Sequence, residues 1–267
     1  MPDRTPPFSA HQIGTNPFRF SSGVPIPTMM DASTDPYFKT RVPKEAQVEG
    51  ILFWPQEKGF YPGLVLLHEA WGLTSQVKDL AHRLAREGYA VIVPNLYARQ
   101  GGMVTASAEV AEALAGRAKE SDLLQDINSC CEFLNTRDVV KRNVHAVIGV
   151  GMGGSLAIPF ACQRKRLRGA VAFYAKVTVP PVILKTLACP LLYHRAGADP
   201  AVTDEEIASL VEAGKESGKK IEIRIYDNAP HGFLNESRTQ QYRPDAAREA
   251  WESTIAFLHE CFQADAK

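Results

Sequence analysis

Three positions that are far apart in the chain have the residue types and the order needed for acyl-transfer chemistry. Residues 145–154 read HAVIGVGMGG, an apolar run that ends in the glycine-rich frame Gly-Val-Gly-Met-Gly. This frame is typical of the tight turn that joins a strand to a helix and carries an attacking serine or cysteine. Here Gly151 stands at the attacking position. Asp199 follows in the segment RAGADP, and His231 follows in NAPHGF.

The order of attacking residue, acid and histidine is the chain order of one class of catalytic triad. In such a triad, Asp199 would orient the imidazole and stabilise its cation, and His231 would move protons. Each residue alone also fits an ordinary role, Asp199 in a turn and His231 as a hydrogen-bonded loop histidine. Because both are predicted to follow strands in the correct order, we interpret them as the acid and base of a triad-derived site.

The composition indicates a globular protein whose partner is a small molecule. The 267 residues are 45% hydrophobic, which is enough for one sizeable core. The 30 basic residues (Lys and Arg) balance the 30 acidic ones (Asp and Glu), so no overall field favours nucleic acid or an anionic membrane as a partner. The substrate is therefore expected in a pocket. The sequence does not indicate an oligomeric state.

The five cysteines form no CxxC pair and no cysteine–histidine spacing typical of zinc sites. We interpret them as buried, reduced thiols, which are typical of cytosolic proteins. No apolar run approaches the roughly 18 residues needed to span a bilayer, and residues 1–7 lack the apolar core of a signal peptide. The sequence thus predicts a cytoplasmic protein without a metal or another cofactor.

Local periodicity predicts an irregular N-terminal arm at residues 1–42 and one domain at residues 43–267. The arm is rich in Pro, Ser and Thr and has no sustained periodicity. In the domain, short apolar strands alternate with amphipathic helices. The predicted strands are 47–54, 63–68, 89–93, 144–150, 170–174, 191–194 and 221–226. The predicted helices are 76–87, 106–119, 122–135, 154–162, 204–217 and 245–261.

This alternation predicts an α/β fold with a mostly parallel central sheet and helices on both faces. Ligands of such sheets bind outside the carboxyl ends of the strands. The site is therefore expected in the loops that follow residues 68, 93, 150, 194 and 226.

From about Glu45 to its C-terminus, the chain resembles the dienelactone hydrolases, a family with the α/β-hydrolase fold. Five ordered matches are far more specific than any one of them. The matching segments are His68-Glu-Ala-Trp-Gly-Leu, Pro94-Asn-Leu-Tyr-Ala-Arg-Gln, the glycine frame extended to Gly154, Gly-Ala-Asp199, and Pro-His231-Gly-Phe. The resemblance implies an α/β-hydrolase domain that acts on carboxylic esters or lactones, including substrates with a carboxylate.

The resemblance also implies roles for two charged residues outside the triad. Glu69 matches a buried glutamate that interacts with the attacking residue, and Arg99 is expected to hold an acidic group of the substrate. Both residues also have an ordinary interpretation, because Arg99 fits a surface salt bridge and Glu69 fits a helix-capping or structural carboxylate.

Further residues of the matching segments are expected to contact the substrate. The resemblance implies that the backbone N–H groups of Ala70 and Met152 form the oxyanion hole. A residue that opens a helix after the attacking position points its amide at the developing charge. Trp71 and Phe233 are expected to line the substrate site.

The chain departs from the family at two positions. The family has cysteine where this chain has Gly151, and covalent catalysis requires a thiolate or an alkoxide at that position. A second arginine that the family places just beyond the catalytic histidine is not matched, because Asn235 occupies that offset and Arg238 lies on a different turn. Recognition of a carboxylate is therefore expected to be weaker or altered.

Other interpretations of these residues are less favoured. Gly149, Gly151 and Gly154 also spell GxGxxG, but no Asp or Glu lies between residues 138 and 199 to bind the ribose of a dinucleotide. His68-Glu69 lacks the second histidine of a zinc-protease helix. Ser155 lies a full helical turn beyond the attacking position. The basic run at residues 164–168 fits the solvated end of a helix.

Three explanations of Gly151 remain open. In the first, the chain is a dienelactone hydrolase-like protein whose nucleophile has been replaced and whose pocket still binds esters or lactones. In the second, it hydrolyses them slowly without a covalent intermediate, because His231 activates water directly. In the third, it is a non-catalytic binding or regulatory protein that retains the fold.

Overall fold

The computed structural model describes residues 5–23 and 47–263. The strands in this part of the chain are β1 (Ile13–Ser21), β2 (Gln47–Pro55), β3 (Tyr61–Leu67), β4 (Ala90–Pro94), β5 (Val140–Val150), β6 (Leu167–Phe173), β7 (Leu191–Ala196) and β8 (Ile221–Tyr226). The α-helices are α1 (Ser75–Arg86), α2 (Ala108–Arg117), α3 (Glu120–Asn135), α4 (Met152–Gln163), α5 (Pro181–Leu184), α6 (Asp204–Ser217) and α7 (Pro244–Gln263). Every predicted strand and helix is present, and the bounds differ by a few residues.

The chain forms two compact units. The first comprises the described residues up to Leu66 together with Trp71–Asn143, and the second comprises Leu67–Ala70 together with the described residues from Val144 onward. In the first unit, β1 pairs with β2 and β2 pairs with β4, both antiparallel, and β4 pairs with β3 in parallel.

In the second unit, β5, β6, β7 and β8 pair in that order, and every pair is parallel. Strands buried on both faces consist of nearly continuous apolar residues, as in residues 169–173 of β6. The predicted α/β architecture with mostly parallel strands is confirmed. The domain boundary predicted at residue 43 lies outside the described residues and stays a prediction.

The prediction of an irregular arm is wrong for part of residues 1–42. Ile13–Ser21 form β1, which pairs with β2 along its whole length, and a short 3-10 helix at Ala10–Gln12 precedes it. Phe18 and Phe20 are buried and stack on each other and on Phe133. Pro17 and the preceding polar residues obscured this strand in the sequence, since proline disfavours strands that are paired on both sides. Residues 24–42 lie outside the described part.

The turn from β5 into α4 brings two stretches of backbone into close contact. A Cβ atom on Gly149 would lie 2.1 Å from the carbonyl oxygen of Gly153, so only glycine fits at this position. Helix α4 begins at Met152, two residues before its predicted start. The first turn contains two glycines, which have low helix propensity, and this explains why the pattern did not reveal it.

No helix in the described ranges has both the length and the apolar character that crossing a membrane requires.

The close contact at Gly149 generates a stability prediction. Gly149→Ala should lower the free energy of unfolding by about 3 kcal/mol or more, because the new methyl group meets backbone that cannot move aside. Gly116→Ala is the matched control, since a Cβ atom there meets nothing within 4 Å. It should raise stability by about 0.5 kcal/mol through helix propensity. Urea unfolding followed by circular dichroism measures both, and equal effects would contradict the close packing.

Candidate active site

The predicted acid and base are in direct contact within the second unit. Asp199 lies in the turn after β7, and His231 follows β8. Because these two strands are parallel, both residues lie at the carboxyl ends of the strands. The Nδ1 atom of His231 lies 2.7 Å from Oδ2 of Asp199. The Asp199 side chain is 2% exposed, whereas that of His231 is 53% exposed. The acid is thus buried behind a base that faces solvent.

Hydrogen bonds keep the Asp199 carboxylate ionised. Burial by itself would raise its pKa, but the hydrogen bonds from His231 and from the backbone N–H of Ala201, at 2.9 Å, outweigh burial. The positive fields of His231 and Lys176 act in the same direction, and the pKa lies below its ordinary value. An ionised carboxylate only accepts hydrogen bonds, so Nδ1 of His231 carries a hydrogen. In the neutral ring, Nε2 is then the lone-pair nitrogen that can accept a proton.

Gly151 lies opposite Nε2 of His231. Its backbone has φ 53° and ψ −115°, its N–H donates to the carbonyl of Phe173 at 3.0 Å, and its carbonyl accepts from the N–H of Ser155 at 3.0 Å. A Cβ atom on this residue would lie 3.6 Å from His231 Nε2 and 3.8 Å from Glu69 Oε1. These are ordinary van der Waals distances. The position of the missing side chain is therefore bordered by a base and a carboxyl group.

The Glu69 carboxyl is buried and accepts two hydrogen bonds. Tyr174 donates its hydroxyl to Oε1 at 3.2 Å, and Asn235 donates its side-chain N–H to Oε2 at 2.9 Å. Burial is the largest influence and raises the pKa of Glu69, while these hydrogen bonds and the fields of His231 and Arg238 oppose the rise. The carboxyl therefore holds its proton more tightly than it would in water.

Tyr174 contacts both Glu69 and His231. It directly follows β6, has a positive φ of 35° and is 1% exposed. Its ring packs edge-on against the imidazole of His231, with 4.8 Å between the ring centroids. Positive φ is costly for a bulky residue and persists only where the surroundings hold it. The hydrogen bond to Glu69 and the contact with His231 are two of the interactions that do so.

The residues of the expected oxyanion hole flank the same position. Met152 is the first residue of α4 and directly follows Gly151, and Ala70 directly follows Glu69. Both residues belong to the second unit. The direction of the helix places partial positive charge at this end of α4. Their role as oxyanion donors stays a prediction.

The three residues expected to contact the substrate have other packing partners. Arg99 donates from Nη2 to Asp126 Oδ1 at 2.7 Å and from Nε to Oδ2 at 3.1 Å. The salt-bridge interpretation of Arg99 is therefore realised. Trp71, like Arg99, belongs to the first unit, and its carbonyl accepts from Thr105 at 3.1 Å.

Phe233 is completely buried and packs against Tyr174 and Tyr226. This placement argues against direct contact between Phe233 and a substrate, and it gives the side chain a supporting role beneath Tyr174.

The other nucleophilic side chains considered, Ser155 and the five cysteines, are hydrogen-bonded or buried. The Ser155 hydroxyl accepts a hydrogen bond from the N–H of Lys176 at 3.0 Å and lies against the Gly151 carbonyl. All five cysteines are free and buried, as predicted, and burial raises the pKa of Cys162 to about 11 and that of Cys261 to about 12. Among the described residues, no three His, Cys, Asp or Glu side chains converge as metal ligands would.

The sequence pointed to the Asp199–His231 pair but not to the donors to Glu69. Asn235 was noted only because it replaces an arginine, and nothing in the pattern indicated that it binds Glu69. Tyr174 was predicted only as the end of a strand. The apolar run followed by a single tyrosine is a signal that could have drawn attention to that position.

Comparison with known proteins supports the resemblance seen in the sequence. Residues 48–262 match the model of the dienelactone hydrolase family. A relative from Saccharolobus solfataricus, with the printed name "Putative carboxymethylenebutenolidase", is 28% identical over 251 residues, covering 80% of this chain and 94% of that protein. Protein usf of Aquifex pyrophilus is 26% identical over 220 residues, with the same coverage of 80% and 94%.

Solved structures confirm the α/β-hydrolase fold. A dienelactone hydrolase-like promiscuous phosphotriesterase from metagenomic libraries superposes with a TM-score of 0.75 at 18% identity, covering 92% of this chain and 98% of that chain. A brefeldin A esterase superposes with a TM-score of 0.66 at 14% identity, covering 94% of this chain and 78% of that chain.

The buried carboxyl of Glu69 generates a prediction about pH. Because its pKa is raised in the folded state, it stabilises the protein most at low pH and loses that contribution as the pH rises above the ordinary range of a carboxyl. Glu69→Gln removes the ionisation, so its free energy of unfolding relative to wild type should increase from pH 5 to pH 8. Tyr174→Phe removes a donor that stabilises the charged form of Glu69. The free energy of unfolding should therefore fall more steeply with rising pH in this variant than in wild type. Urea unfolding across this pH range tests both, and parallel curves for wild type and Glu69→Gln would refute the effect.

Proposed function

Because the chain belongs to the dienelactone hydrolase family, we propose that it binds a small carboxylic ester or lactone beside Gly151 and hydrolyses it slowly without a covalent intermediate. One observation carries the proposal. The position of the missing side chain is bordered by Nε2 of His231 at 3.6 Å, and Asp199 holds the other ring nitrogen at 2.7 Å. A base oriented in this way can activate a water molecule in place of a thiol.

In the proposed reaction, a water molecule beside Gly151 attacks the carbonyl carbon of the substrate. His231 Nε2 takes a proton from the water as the new C–O bond forms, and Asp199 stabilises the resulting imidazolium. The tetrahedral intermediate then expels the alcohol oxygen, which receives the proton from His231. The products are a carboxylic acid and an alcohol, or a hydroxy acid when the substrate is a lactone.

The negative oxygen of the intermediate would lie at the beginning of α4. Met152 opens this helix, and backbone N–H groups at a helix N-terminus stabilise developing negative charge. With Ala70, this residue forms the proposed oxyanion hole, which depends on main-chain atoms only. The substitution of the nucleophile by Gly151 therefore leaves these donors in place.

The expected rate is low. Triad enzymes that lose their nucleophile retain roughly 10³- to 10⁴-fold acceleration over the uncatalysed reaction. The name of the Saccharolobus solfataricus relative refers to a butenolide, an unsaturated lactone. We therefore propose small esters and lactones as the substrate class of this chain.

Restoring the nucleophile tests the assignment of the site. Gly151→Cys should increase kcat for a small 4-nitrophenyl ester by about 100-fold or more, because the thiol would lie beside the His231 base. Gly151→Ala is the matched control, since it adds the same Cβ atom at the same positive φ, with a strain of about 1–3 kcal/mol, but no thiol. If the cysteine variant folds but is no faster than the alanine variant, the assignment of residue 151 to the nucleophile position is wrong.

The non-covalent reaction of the wild-type protein needs a separate test. Slow turnover should be lost in His231→Ala and strongly reduced in Asp199→Asn, which removes the carboxylate that orients the imidazole. Purification of all variants by the same route controls for contaminating esterases. Turnover that survives the loss of His231 would contradict direct activation of water. Ligand binding without any turnover would instead favour the non-catalytic binding protein.

A further inference from the structure

The loop that follows β6 holds its backbone in a fixed position next to the catalytic pair. Each residue from 174 to 177 takes part in a hydrogen bond with another element, two of them with β7, one with α4 and one with α6. These bonds are Tyr174 N–H to His194 O at 2.8 Å, Tyr193 O–H to Ala175 O, Lys176 N–H to Ser155 Oγ at 3.0 Å and Val177 N–H to Glu206 Oε1 at 3.0 Å. The segment is therefore anchored to α4, β7 and α6 at the same time.

Lys176 is the exposed side chain of this anchored segment. Tyr174, Ala175 and Val177 are buried at 1%, 0% and 9% exposure, whereas Lys176 is exposed. The backbone of Lys176 is thus held by a hydrogen bond, while its long cationic side chain is exposed. Tyr174, two residues earlier, contacts the imidazole of His231.

The charge of Lys176 reaches the catalytic pair. Its positive field is one of the influences that lower the pKa of Asp199. Within the part of the chain that the structure describes, no carboxylate forms an ion pair with the Lys176 ammonium group. Among these residues, the exposed Lys176 charge is therefore not neutralised by an ion pair and remains available to an anionic ligand.

Arg99, the cation that the resemblance favoured for binding an acidic group of the substrate, is already paired with Asp126. Arg99 donates to Asp126 from two of its three nitrogens, so that carboxylate already neutralises its charge in part. Asn235 occupies the offset of the family's second arginine and donates to Glu69. Neither of these two positions therefore offers an anionic group a cation that lacks a carboxylate partner.

We propose that Lys176 is the specificity residue that selects substrates with an anionic group close to the scissile carbonyl. This inference rests on the proposed ester or lactone hydrolysis at Gly151. The ammonium group would pair with the anionic group while the carbonyl lies between His231 and the start of α4. Lys176 takes no part in bond making or breaking.

A matched pair of substrates tests this role. The 4-nitrophenyl esters of succinate and butyrate differ by a terminal carboxylate in place of a methyl group. Lys176→Gln should raise KM for the succinate ester by about fivefold, the size expected for one partly exposed ion pair, and leave KM for the butyrate ester unchanged. Lys176→Arg should preserve the preference. Lys165→Gln, which removes an equal charge just beyond the other end of α4, should leave both substrates unaffected.

Two results would overturn the proposal. An equal fall in kcat for both esters in Lys176→Gln would mean that Lys176 acts only through Asp199 and His231. An unchanged KM for the succinate ester would remove Lys176 from substrate recognition altogether.

A binding measurement separates this inference from the proposed hydrolysis. Calorimetry with monomethyl succinate and methyl butyrate reports recognition even if no turnover occurs. Tighter binding of monomethyl succinate to the wild-type protein, lost in Lys176→Gln, would support the role of Lys176 although hydrolysis had failed. Equal affinity of the wild-type protein for the two compounds would overturn it.

Discussion

The second compact unit is organised around one constraint, the burial of the Glu69 carboxyl beside the start of α4. A carboxyl group removed from water must receive hydrogen bonds or hold its proton. Glu69 receives hydrogen bonds from Tyr174 and Asn235, and burial raises its pKa, which favours the protonated form. These two donors come from the loops after β6 and β8. The same loops position the imidazole of His231 and the cationic side chain of Lys176. The arrangement around Glu69 therefore determines the geometry of the remaining site.

Gly151 has a clear structural consequence at this site. Its φ of 53° lies in the region where non-glycine residues are strained, and an attacking residue at this turn must tolerate that strain. Glycine adopts this φ without that strain. Asp199 and His231 belong to other segments, and helix α4 begins directly after this glycine. A base and a carboxyl group therefore border a relaxed backbone position that carries no side chain.

The charged residues show how far an inferred role depends on its partners. Arg99 matches the family motif, yet in the structure its guanidinium is held by Asp126. Ser155 was considered as a nucleophile, and its hydroxyl instead anchors the backbone of Lys176. The residue type shows that Arg99 carries a cation and Ser155 a hydroxyl. It does not show which group each of them binds. The interaction partners lie 27 and 21 positions away, beyond the reach of any local pattern.

The sequence by itself determined the alternation of strands and helices from residue 47 onward. It also placed Gly151, Asp199 and His231 in the chain order of a triad, and their assignment as a triad-derived set stays a prediction. These features depend on local periodicity and on residue type, which are properties of short segments. The tertiary structure alone decided that Ile13–Ser21 form a strand, that Tyr174 and Asn235 satisfy Glu69, and that Lys176 extends from an anchored loop. Each of these depends on a partner distant in the chain, and a buried polar group accepts whichever donor the fold brings within reach.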